Sequence, residues 1–220
     1  MSKVAIQGAA TGTGVFTLAS PATNTNRTLT LPDEAGTVLT SAGSLPAGNL
    51  TGSVPASAMP AGSVLQVVST TKTDTFSTSS DGTFDITGLS ATITPSSTSS
   101  KILIMAKVNL GNTNPQNTAF TLQLKRGSTL INAGDSAGSR TRGFAGSEEG
   151  ISNNTFGTYQ SYDYSTQFLD SPSTTSATTY KISVVLSQMN QFVVNRTGYD
   201  GDSSAFHRGT SNIILMEIAA

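Results

Sequence analysis

The distribution of aromatic side chains divides this chain in two. Of its nine Phe and five Tyr, only Phe16 precedes residue 63. Residues 1–62 also hold five of the eight Pro, namely Pro21, Pro32, Pro46, Pro55 and Pro60, and only four charged side chains, Lys3, Arg27, Asp33 and Glu34. Aromatic rings supply the largest areas a core can bury, so a segment without them cannot offset the entropy lost in its own ordering. The first part needs cover from outside itself. The second can fold alone.

From Ser63 onward, apolar residues recur with period two in runs of five to ten residues, punctuated by Gly, Asn, Asp, Ser and Pro, which is the pattern of short strands joined by turns. Composition agrees, since 31 Ser, 34 Thr and 21 Gly among 220 residues favour strands and turns over long helices. The spacing predicts strands near Val64–Ser69, Gly82–Thr87, Ala91–Thr94, Lys101–Leu110, Ala119–Arg126, Thr129–Ala133, Phe156–Leu169, Thr178–Ser187, Gln191–Asn195 and Asn212–Ile218. Short strands at this spacing suit an antiparallel β-sandwich or jelly roll. Phe120/Leu122/Leu124 stand against Thr121/Gln123/Lys125, and Tyr180/Ile182/Val184/Leu186 against Lys181/Ser183/Ser187, the pattern of strands with one wet face. Ile102–Met105 and Ile213–Met216 are apolar at every position, so both faces of that sheet ask to be covered, one by its own domain and one by another subunit. Ile102, Ile104, Ile213 and Leu215 are assigned to that contact.

Within the first part, Gly14–Leu18 and Arg27–Leu31 alternate apolar with polar and each closes on a Pro-containing turn. They read as short strands whose apolar faces identical chains would cover. Residues 41–62, rich in Pro, Gly, Ser and Ala, read as a stalk. The chain is thus expected to comprise an attachment or shaft segment (1–40), the stalk (41–62) and an all-β head (63–220).

Charge and chemistry exclude several functions. Twelve basic residues against thirteen acidic give a net charge of −1, far from the basic footprint that nucleic acid or anionic lipid requires. No run approaches the length of a membrane span, and the N-terminus has no apolar core of a secretion signal. Cys is absent, so disulfides, thiolate metal sites and a cysteine nucleophile are excluded together. No phosphate-cradling glycine motif is present. His207 is the only histidine, so any serine-based triad must pass through it, and its place in the polar stretch 196–211 reads as an exposed loop. Glu148 and Glu149 are adjacent, which in a strand points them to opposite faces. Asp200-Gly201-Asp202 opens like a calcium loop but has Ser211 where a bidentate Glu belongs, and reads as turn chemistry. No catalytic residue, metal site or cofactor is expected. Four Asn-X-Thr strings, at Asn26, Asn49, Asn153 and Asn195, carry little weight in so Thr-rich a chain.

The repeats Gly14-Val15-Phe16-Thr17-Leu18-Ala19-Ser20-Pro21, Asn26-Arg27-Thr28-Leu29-Thr30-Leu31-Pro32-Asp33 and Gly36-Thr37-Val38-Leu39 resemble those in tail fibres of tailed bacteriophages, and Ser44–Gly52 is similar to their stalks. Phe84–Leu89, Ser100–Ile104, Leu124–Gly127, Tyr180–Ile182 and Ile214–Ile218 resemble the trimeric jelly-roll heads of the complement-globular-head and tumour-necrosis-factor type. The resemblance implies a homotrimer in the virion, at a tail fibre. It implies other tail or baseplate proteins bound through residues 1–40, and a host glycan or protein met by the head. A head-decorating or purely architectural fibre is the alternative, and a surface-polysaccharide depolymerase ranks lower. Loops on a rigid sandwich carry recognition, which singles out Arg140, Arg142, Tyr159, Arg196, Tyr199, His207 and Arg208. Phe156, Tyr162, Tyr164 and Phe168 share one face of a strand and belong to packing, whereas Tyr159 falls on the other and is a platform for a sugar.

Overall fold

The computed structural model of the chain describes residues 54–112, 118–149, 159–187 and 192–220, with Thr11 and Thr13. The expected shaft strands and most of the stalk lie outside the described residues. The strands are β1 (Val64–Lys72), β2 (Phe76–Thr78), β3 (Gly82–Ile93), β4 (Lys101–Asn112), β5 (Thr118–Arg126), β6 (Thr129–Asn132), β7 (Ala145–Glu149), β8 (Ser161–Asp170), β9 (Thr178–Ser187), β10 (Phe192–Val194) and β11 (Ser211–Ile218); β2 and β7 are not among the expected strands, and the expected Gly82–Thr87 and Ala91–Thr94 are one strand, β3. The helical element among the described residues is a one-turn 3-10 helix at Ala56–Ala58.

The strands form two antiparallel sheets. In the first, β4 lies between β8 on one side and the broken line β10/β11 on the other, and β2/β1 pair outside that line. In the second, β9 lies between β3 and β5, and β5 is flanked by the broken line β7/β6. Taking each broken line as one strand position gives two sheets four positions wide. Every passage from one position to the next, apart from the β5–β6 hairpin, crosses between the sheets, which is the connectivity of a jelly roll.

The core follows from register. Leu215, Ile104 and Phe168 face inward as one row across β11, β4 and β8, and meet Leu122, Leu124, Ile182 and Val184 from the second sheet. Ile102, Ile104, Ile213 and Leu215 are each fully buried in this single chain. Their assignment to a subunit contact is therefore corrected: alternation places them inside their own sandwich, and no second chain can reach them. The side chains that do face outward from the same strands are the alternate ones. Val67, Met216, Leu103 and Leu169 stand in register across β1, β11, β4 and β8, with Ile214 and Met105 in the next row. Val67 is 56% exposed and Leu169 48%, and the other four are half-buried.

One end of the sandwich is plugged by polar groups. The Glu217 carboxylate is buried and accepts from Gln66 Nε2 (2.5 Å), Ser96 N (2.6 Å) and Ser96 Oγ (2.7 Å). Burial pushes its pKa up, but the bonds from Ser96, Gln66 and Ser100 outweigh that and hold it below the ordinary glutamate value. Nearby in the register, Asp170 accepts from the buried Tyr180 hydroxyl and from Arg126, both at 2.7 Å. Burial, then the Asp170 carboxylate, pushes the Tyr180 phenol up. The chain enters the sandwich at this end, where Gly62 N donates to Ala219 O at 2.8 Å. Ala56 and Met59, within the expected stalk, line a groove with Ser96, Ser97, Ser99, Ser100 and Ala219, so the stretch next to the sandwich folds against it rather than running free.

Candidate functional site

The opposite end of β4 carries the site. Between β10 and β11 the strand line is interrupted by residues 195–210, an excursion that leaves the sheet and returns to it. Its neck is closed by backbone bonds from Asn195 N to Asn109 O (2.9 Å) and from Gly209 N to Asn195 O (3.1 Å), and by a bridge between Arg196 and Arg208.

Asn195 holds the departure point. It has φ of +64°, a conformation that Asn adopts more readily than most side chains. Its amide donates to Lys72 O (2.9 Å) and Asp74 O (2.8 Å), and its Oδ1 accepts from Ser211 Oγ (2.7 Å). Asn195 is fully buried, which removes it as a glycosylation acceptor. The neck also depends on Gly111, where a Cβ would come within 2.3 Å of Arg196 O. No side chain fits there without moving the excursion.

Once outside the sheet, the excursion gathers rings. Tyr199 and Phe206 lie with centroids 5.0 Å apart, and Tyr159, which precedes β8, stacks on Phe206 at 5.8 Å and 23° and meets Tyr199 at 5.6 Å. Tyr159 is 45% exposed and Tyr199 53%. Charges flank the rings: Arg208 pairs with Asp200 at 2.7 Å, and Arg196 Nε lies 3.8 Å from the same carboxylate. Arg196 also donates to the carbonyls of Thr197 and Gly198, both at 3.1 Å. Asp200, Asp202, Ser203, Phe206, His207 and Arg208 contribute to the walls of an open cavity of about 370 Å³. The ring of His207 is tied to the sheet by a 2.6 Å bond between Nε2 and Ser161 Oγ, and Ser161 Oγ in turn accepts from Asn109 Nδ2 at 3.1 Å. Nδ1 of His207 has no hydrogen-bond partner among the described residues.

Five of the seven residues singled out from sequence, Tyr159, Arg196, Tyr199, His207 and Arg208, therefore meet in one cluster. Arg140 and Arg142 stand apart, on the segment between β6 and β7. Arg142 donates to Gly134 O (2.7 Å) and Arg140 to Ala137 O (3.4 Å), so both bonds shape that segment itself. The cluster also takes in Phe206, Asp200 and Ser161, which are not among the recognition residues expected from sequence. Asp200 carries the calcium-like spacing, but its carboxylate is committed to Arg208. Phe206 is signalled only by being a second ring in a polar stretch. The side chains of Glu148 and Glu149 lie outside the described residues. Tyr162, expected in packing, is 49% exposed at the edge strand β8, whereas Tyr164 meets Phe120 edge-on at 5.4 Å.

No family model matches the chain, and no curated protein matches it. Among solved structures it is similar to a chain in the structure of infectious bursal disease virus, Gx strain, at 13% identity and a TM-score of 0.32, over 71% of this chain and 43% of that one. The chain spans less than half the length of that protein.

Proposed function

We propose that the chain is a structural protein of a bacteriophage particle, a homotrimeric tail fibre whose sandwich head recognises the host surface through the 195–210 excursion. The observation that carries recognition is the cluster of Tyr159, Tyr199 and Phe206, which holds three rings in mutual contact outside the core and beside ionic groups. Tyr and Arg are the side chains that anchor binding most often, and exposed clusters of them mark contact sites. The fibre-like repeats within residues 14–39 support the tail-fibre role, and residues 1–40 join the other tail or baseplate proteins in this reading. Trimerisation is supported by the outward row Val67, Leu103, Leu169 and Met216, an apolar strip that a second and third copy would cover.

The test is attachment. Purified chain should bind host cells and block infection by the phage in a dose-dependent way, and the Tyr199→Ala variant should do neither while keeping the far-ultraviolet circular dichroism of the parent. Parent protein that neither binds cells nor competes with the phage would refute recognition by this head. Antibody labelling of intact particles reads the location, with tail-tip decoration expected and capsid decoration counting against it.

A further inference from the structure

We infer that the excursion binds an uncharged glycan, a neutral hexose or N-acetylhexosamine unit stacked on the Tyr159/Tyr199/Phe206 rings with its hydroxyls on Asp200, Arg208 and Asp202. This rests on the recognition reading above and names the ligand class. Two properties of the site select it.

The first is the combination of surfaces. A pyranose ring has a face of C–H groups bordered by hydroxyls, so it needs an apolar plane beside groups that both donate and accept. Tyr159 and Tyr199 are about half exposed, and water released from their faces drives stacking. Both lie against Phe206, which lines the cavity together with Asp200, an acceptor, the Arg208 guanidinium, a donor, and Asp202. Charge-assisted bonds of this kind are short and directional, so they can fix the orientation of a diol.

The second is charge. Arg196 and Arg208 are the cations of the excursion, and both lie against Asp200. Asp202 adds a carboxylate to the cavity wall without an ion pair among the described residues. The two cations and two carboxylates cancel. A sialylated, uronate or phosphorylated sugar would have to separate Arg208 from Asp200 and then face Asp202, whereas a neutral sugar can bond to the Arg208–Asp200 pair while it stays closed.

A printed glycan array probed with the full chain tests this. It carries neutral hexose and N-acetylhexosamine oligosaccharides beside uronate, sialylated and phosphorylated ones. Signal confined to the neutral set is expected, reduced about tenfold or more by Tyr199→Ala and by Tyr159→Ala. Asp200→Asn, which removes the carboxylate that Arg208 pairs with, should weaken neutral binding and create binding to the anionic set. Selective binding of anionic glycans by the parent would overturn the inference while leaving surface recognition intact. Binding to host cells with no signal on either set, and no competition from purified lipopolysaccharide or capsular polysaccharide, would overturn it in favour of a protein receptor. Competition by only one of those two polymers identifies which surface supplies the sugar and supports the inference. Absence of cell binding altogether would instead refute the recognition reading.

Discussion

The two sheets of the sandwich share one core but present opposite outer faces. On the second sheet, Asp85, Lys181 and Ser183 are knitted together, with Lys181 Nζ and Ser183 Oγ each 2.6 Å from the Asp85 carboxylate, and Thr92 and Thr179 bond to each other at 2.7 Å. On the first, the corresponding positions are Val67, Leu103, Met105, Leu169, Ile214 and Met216. A polar outer face is complete when wet. An apolar one leaves area whose burial is worth roughly 25 cal/mol per Å². The difference teaches which side of the sandwich the proposed trimer would use, since only the first sheet presents an unbroken apolar row, Val67, Met216, Leu103 and Leu169.

The comparison is sharpest at β11, whose alternate residues serve both the core and the outer face. Deleting residues 211–220 removes the strand between β1 and β4 together with the buried Ile213 and Leu215. The loss is roughly 1.5–3 kcal/mol for each large side chain, plus the unpaired backbone of two neighbours, and it rivals the stability of an ordinary domain. The truncated protein should be insoluble or lack a cooperative melt. A soluble product with the parent's melting temperature would show that β11 is not integral to the sandwich.

The next effect separates the faces. Met105→Lys or Leu103→Lys, on the apolar face, should convert a trimer into a monomer in sedimentation velocity at micromolar concentration, with little change in circular dichroism. Thr92→Lys, on the polar face, should leave the trimer unchanged. A parent chain that already sediments as a monomer would break the argument that the apolar face is covered.

Much of this was legible, and the failures have physical causes. The alternation of Tyr180, Ile182 and Val184 with Lys181 and Ser183 marks β9 from sequence, because only one set of side chains has to be apolar to reach the core. The run Ile102–Met105 announces a strand apolar on both sides, but which alternate residues point inward depends on register with β8 and β11, and a shift of one residue exchanges the faces. The apolar run alone therefore does not distinguish the inward Ile102 and Ile104 from the outward Leu103 and Met105. Gly88, at φ +80°, falls between the expected strands Gly82–Thr87 and Ala91–Thr94; it sits in an irregularity between Asp85 and Ser90 that a continuous β3 accommodates. The short β2 and the Ala-Gly-Ser-Glu-Glu strand β7 carry no alternation and are strands only because β10 and β5 pair with them. In the candidate site, loop position picked out Tyr159, Tyr199 and His207 individually. Their meeting depends on β10 and β11 lying along one edge of β4 and β8 along the other, which no local pattern encodes.

A smaller effect tests the plugged end of the core. Glu217 has its pKa held below the ordinary value of 4.5 when folded. A group depressed in this way contributes stability above its unfolded pKa and loses it as pH falls through the folded one. The melting temperature should therefore be level from neutral pH to about 5 and decline below 4.5. Glu217→Gln should cost about 1.5–3 kcal/mol at pH 7, as loss of bonds to a charged acceptor does, and should flatten the decline. A variant that retains the full acid slope would assign that slope to other carboxylates.

The smallest effect belongs to the wet face. The Lys181–Asp85 pair is short at 2.6 Å, but the Asp85 side chain is 53% exposed. Burial raises the Asp85 pKa, and the bonds from Lys181 and Ser183 outweigh it to leave the carboxyl lowered. Solvent screens the pair at such a half-exposed site, so it contributes about 0.2–1 kcal/mol. Lys181→Ala should lower the melting temperature by no more than about 4 °C in a chain of this length, and by less in high salt, which already screens the charge. It should leave the oligomeric state unchanged, because nothing apolar is uncovered. If the variant loses as much stability as Glu217→Gln, the polar face is not simply solvated: the pair is then covered in the assembled protein, and both sheets, not one, take part in contacts between chains.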